Sequence, residues 1–106
     1  MPLSRDFKAS VVARVRRDPR FGVALLDEAA TAFLNGEPDV ARLVLRELVN
    51  ATIGFEKLAS ASGTPSKSLH RMLSASGNPS MDNLATIFDA LRQHLKVRIR
   101  AKTAAA

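Results

Sequence analysis

Lys67 and Arg71 stand four residues apart, and Ser66 and Ser68 flank the first of them, in the stretch Phe55 to Ser74, FEKLASASGTPSKSLHRMLS. On a helix, residues at that spacing share one face. Cations and hydroxyls so placed donate hydrogen bonds and attract anions. They supply no nucleophile with a base beside it, and the serines of the 60–80 region have none arranged for their activation. The two histidines, His70 and His94, lie 24 positions apart on helices expected to face different ways. With no cysteine, a transition-metal site would need carboxylates beside them, and none stands at ligand spacing. There is no phosphate-cradling glycine loop. The chain is therefore not expected to be an enzyme, nor to carry a metal or cofactor.

The surrounding residues read as two short helices joined by a tight turn. Phe55, Leu58 and Ala59 form an apolar face at helical spacing, and Ala59 is small enough for a second helix to cross close by. Gly63 falls where the chain must turn sharply and a positive φ is expected. Thr64 offers a hydroxyl to cap the next helix, with Pro65 at its first position. Leu69, Met72 and Leu73 are its buried side. Small residue, glycine and buried aliphatic at Ala59, Gly63 and Leu69, spaced four and then six, make the pattern of a helix-turn-helix. The second helix of such a unit lies in the DNA major groove. A plain helical hairpin would share the spacing but leave the polar, cationic outer face unexplained.

Charge points the same way. The net charge is +6 and the pI about 10.8. Residues 1–53 hold eight Lys/Arg against seven Asp/Glu, whereas residues 54–106 hold eight against three. A polyanion would be drawn to the second half first. At 106 residues and 46% hydrophobic, the chain reads as one globular domain, 1–106, with N-terminal helices over 1–53, a helix-turn-helix core over 54–95 and a basic tail over 96–106. No long apolar run suggests a signal peptide or membrane span, so a cytoplasmic protein is expected.

Taken in order, the chain predicts an all-α bundle of five or six helices. The first runs from Ser4, as its cap, to Arg17, with Phe7, Val11 and Val15 inward. Arg14, Arg16 and Arg17 lie at its end, where cations oppose the helix dipole; they serve as a solvated helix end or touch phosphate. Asp18-Pro19 breaks it. The second runs to Leu34 with Phe21, Ala24, Leu25, Ala29, Ala32 and Phe33 as its apolar set, and stops at Asn35-Gly36. Glu37-Pro38-Asp39 opens a third, to about Thr52, with Val40, Val44, Leu45 and Leu48 inward. Between Phe21 and Asn50 there are five acids and two bases, either ordinary solvated surface or a dock for a basic protein. Ser80 caps the last helix, which ends near Leu95; Met81, Leu84, Ile87, Phe88, Leu91 and Leu95 form its stripe. Lys96-Val97-Arg98-Ile99-Arg100 alternates at strand period, predicting a short C-terminal strand that pairs with its copy, lies on another protein's sheet edge, or stays a basic tail.

Gly63 to Leu73, followed by Gly77-Asn78-Pro79-Ser80 and Leu84-Ala85-Thr86-Ile87, resembles the lambda-repressor-like helix-turn-helix domain. More closely, it resembles the addiction-module antidote (antitoxin) family, encoded beside a RelE-like toxin. The resemblance rests on the Ser-Leu-x-x-x-Leu recognition helix, the Ser-x-x-Gly-Asn-Pro loop and the leucine-ended last helix before a Val-Arg-Ile tail, and covers about residues 37–100. It implies that Ser66, Lys67 and Arg71 read bases, with Lys67 and Arg71 donating to guanine O6 and N7. It implies that Ser68 and the backbone of Gly77 and Asn78 hold phosphate, with Thr64 at the helix start beside them. His70 either sits on the groove wall or covers the helix junction. The function expected is a sequence-specific, homodimeric DNA-binding repressor of its own operon that also neutralises a RelE-like toxin. The alternatives are a stand-alone or phage-type repressor without a toxin, and a helical adaptor that binds only protein.

Overall fold

The computed structural model describes the backbone of residues 5–106 and side chains from Lys8 onward; the cap expected of Ser4 and the inward place of Phe7 lie outside these residues. Among the described residues the fold is all-α: α1 (Arg5–Arg17), α2 (Pro19–Leu34), α3 (Pro38–Ala51), α4 (Phe55–Ser62), α5 (Ser66–Met72) and α6 (Met81–Leu95). The Cα radius of gyration is 13.2 Å, close to the roughly 13 Å of a compact chain of this length.

Local chemistry accounts for most helix ends. Asp18 caps α2, its Oδ1 accepting from the Arg20 backbone N–H at 3.1 Å, and Pro19 stands in the first turn. The Arg20 guanidinium also donates to that oxygen at 3.1 Å. Hydrogen bonds from the Arg20 side chain and amide hold the Asp18 carboxyl below the ordinary Asp range. A depressed carboxyl pKa stabilises the fold above its unfolded value, and that contribution is lost as pH falls through the folded value. The melting-temperature difference between the native protein and Asp18→Ala is therefore expected to be full at neutral pH and to shrink as the pH falls below the ordinary Asp range. Arg14 stacks over the Phe21 ring at 4.2 Å, so this member of the expected solvated helix end covers the α1–α2 corner.

The main core cluster draws on five helices: Leu26 and Ala29 from α2, Leu45, Leu48 and Val49 from α3, Leu58 from α4, Leu69 from α5, and Leu84, Ile87 and Leu91 from α6, with Leu73 just past α5; Val15 of α1 is also buried. Three expected inward positions are corrected. Met81, at the first position of α6, is 82% exposed, and Asp82 beside it is exposed too. On α2 the buried stripe is Gly22, Leu26, Ala29 and Ala32, while Ala24 and Phe33 are exposed. This helix is apolar most of the way round, so periodicity could not say which side α3 would cover. Glu47, counted with the solvated acids, is buried, its Oε1 3.6 Å from Arg46 Nε.

The described residues contain no strand, so the C-terminal segment forms none within the chain. Lys96 instead ends α6 in the left-handed region, at φ 60°. Its N–H donates to Gln93 O at 3.1 Å and that of Val97 to Arg92 O at 2.9 Å, the paired bonds of a Schellman stop. Beyond it Val97 and Ile99 pack on the core, while Lys96, Arg98 and Arg100 face solvent. The alternation therefore lays an extended segment on α2, with a helix face in place of a neighbouring strand. A non-glycine residue is strained at a left-handed stop. Lys96→Gly is expected to stabilise the protein by about 0.5–1 kcal/mol in urea unfolding.

Candidate nucleic-acid interface

The turn between α4 and α5 is built as its residues require. Gly63 adopts φ 70°, and its N–H donates to Ala59 O at 2.9 Å, closing α4. A side chain there would be strained, so the tight turn depends on glycine. The start of α5 differs from expectation. Pro65, at ψ 142°, occupies the cap position itself, and no side chain caps the helix. The proline ring fixes φ, and its carbonyl accepts from the Leu69 N–H at 3.1 Å. Thr64, half-buried, donates its N–H to Ser62 Oγ at 3.3 Å, so it belongs to the turn and does not cap the helix.

Leu69 and Leu73 anchor α5, each 1% exposed, with Met72 half-buried beside them. That leaves Lys67, His70 and Arg71 exposed, and Ser66 and Ser68 half-buried. Arg71 Nη2 approaches Ser68 Oγ at 3.5 Å, a long contact that leaves most guanidinium donors unused. His70 stacks on Phe55 of α4, ring centroids 3.8 Å apart and planes 19° apart. It therefore covers the helix junction, and the two cations form the outward tip of the pair.

The loop after α5 folds back on its end. Ser74 donates its N–H to Arg71 O at 3.2 Å and its hydroxyl to the same oxygen at 2.7 Å. The Gly77 N–H donates to Ser74 O at 3.0 Å. A Cβ on Gly77 would collide with the carbonyl oxygens of Met72 and Arg71, so glycine is required here by close approach. With its amide engaged, Gly77 positions the loop, and exposed Asn78 next to it is better placed to meet a ligand. Across the loop, Arg42 of α3 donates from Nη2 to Ala75 O at 3.1 Å. Sequence reading missed this tie, because Arg42 and Arg46 were counted only as the two bases of an acidic region.

No family model, curated protein or solved structure matches this chain. Its chemistry therefore rests on the arrangement itself: two exposed cations on a short helix held by two buried leucines. No three His, Cys, Asp or Glu side chains gather as a metal site among the described residues. No described helix is long and apolar enough to cross a membrane.

Proposed function

We propose that this protein binds double-stranded DNA sequence-specifically, with α5 as its recognition helix in the major groove. The observation that carries the reading is the exposure of Lys67 and Arg71 on one face of a helix whose other face is locked by Leu69 and Leu73. Both side chains reach outward as donors suited to guanine O6 and N7. Ser66, Ser68 and Asn78, with Thr64 and Gly77 shaping the backbone around them, border that tip and meet the flanking phosphates. The net charge of +6 adds sequence-independent attraction.

The resemblance to the addiction-module antidote family extends this proposal to a cytoplasmic antitoxin that represses its own operon and neutralises a RelE-like toxin. Val23, Phe33 and Leu34 of α2 are exposed apolar residues that such a partner could cover. The same DNA contacts would serve a stand-alone repressor. Two measurements separate the readings. Selection from a randomised duplex pool, followed by gel shifts, is expected to recover one preferred sequence; equal affinity for every duplex would refute sequence-specific binding. Co-expression with the neighbouring reading frame is expected to yield a stable complex; its absence would remove the antitoxin role and leave the repressor.

One recognition helix covers only a few base pairs, so the protein is proposed to act as a homodimer. Half-sites about one helical turn apart, roughly 34–36 Å, would then be read by two copies. Sedimentation at DNA-binding concentrations is expected to show the dimer, and a strict monomer bound to a full palindrome would overturn it.

A further inference from the structure

Arg42 and Arg46 stand four residues apart on α3, half-buried, and line a cleft of about 480 Å³ with Asp39, Ser74 and Ala75. The Nε of each is screened from solvent and lacks a hydrogen-bond partner among the described residues. Arg46 comes no nearer to Glu47 Oε1 than 3.6 Å, beyond hydrogen-bond length. Arg42 has one described bond, from Nη2 to Ala75 O at 3.1 Å. An atom closed to solvent is closed to a ligand from solvent as well, so the donors that the cleft offers are the outer nitrogens of the two guanidinium groups.

The cleft's position bears on what those donors meet. Ser74 lies two residues past the end of α5 and lines the cleft, so the cleft adjoins the C-terminal end of the helix whose outward stripe carries Lys67 and Arg71. The hydroxyl bond from Ser74 to Arg71 O at 2.7 Å ties the two together. A molecule lying along that stripe meets the two guanidinium groups at its end. We infer that Arg42 and Arg46 form a clamp for a phosphodiester of the DNA strand bordering the groove that α5 reads. This rests on the DNA-binding reading above. A phosphate diester brings a single charge and two free oxygens, matching the fork of an arginine. The carboxylates of Asp39 and Glu47 offset part of the cationic charge, which favours a monoanionic diester over a dianionic terminal phosphate. Contacts of this kind set register and carry no sequence information.

The test uses the full chain with a duplex selected from the randomised pool and a scrambled duplex. Arg42→Gln, Arg46→Gln and the double variant are compared with the native protein across a salt series. Each substitution is expected to lower the slope of log affinity against log salt by about 0.9, and to weaken both duplexes alike, leaving their ratio within about twofold. Lysine at either position is expected to restore the slope. Ethylation of single phosphates should identify one or two whose interference disappears in the double variant. Arg46→Gln, which breaks no hydrogen bond to the loop, carries the test if Arg42→Gln unfolds. Unchanged slopes and interference on a duplex that the native protein reads specifically would overturn the clamp and leave DNA binding standing. So would binding of inorganic phosphate at these arginines with no effect on DNA affinity. Failure of the native protein to prefer any duplex would overturn both.

Discussion

Replacing Lys67 or Arg71 with alanine is expected to cost about 1–3 kcal/mol of sequence discrimination each, or roughly 5- to 150-fold in affinity for the selected duplex. Affinity for a scrambled duplex should fall much less, because there only one charge is lost against a background set by the whole basic half of the chain. Neither change touches the core: both side chains are exposed, and the only described side-chain bond of Arg71 is the long one to Ser68 Oγ at 3.5 Å. Melting temperature should therefore stay within a degree or so, separating lost recognition from lost folding. Arg71→Lys is a sharper probe, since it keeps the charge and removes the planar fork. Equal losses on the selected and scrambled duplexes would show that these residues hold backbone phosphate and do not read bases.

Gly77→Ala is expected to lower stability by about 1–3 kcal/mol, and several degrees in melting temperature. The added methyl would meet the carbonyl oxygens of Met72 and Arg71, which are backbone atoms at the end of α5 and cannot swing aside as a side chain would. The loop must lift, straining the Gly77 N–H bond to Ser74 O and the Arg42 bond to Ala75 O together. Binding should weaken on both duplexes, because the end of α5 moves. Gly36→Ala is the useful contrast: it is strained by a φ of 82°, but nothing lies within 4 Å of its added Cβ. A loss at Gly77 no larger than at Gly36 would show that the loop yields readily. Thermal melts monitored by circular dichroism measure both.

The parts of this molecule readable from the chain are those governed by neighbours within about one helical turn. Asp18-Pro19 starts α2, Ser80 caps α6 by accepting from the Asn83 N–H at 3.1 Å, and Gly63 takes the left-handed turn. Such choices depend on backbone groups two to four residues away, so the residue order specifies them. The start of α5 was misplaced by one residue, because a proline suits both the cap and the first helical position, and only its ψ separates them.

Residue order alone was enough for the all-α class, the apolar stripe of α6 apart from Met81, and the outward placement of Lys67 and Arg71, because periodicity and end chemistry act locally. Three features needed the packed molecule: which side of the nearly all-apolar α2 turns inward, what the alternating tail lies against, and the meeting of Arg42 with a loop 33 residues further along. Each depends on a surface contributed by a distant segment, and residue order carries no direct record of which segment arrives there.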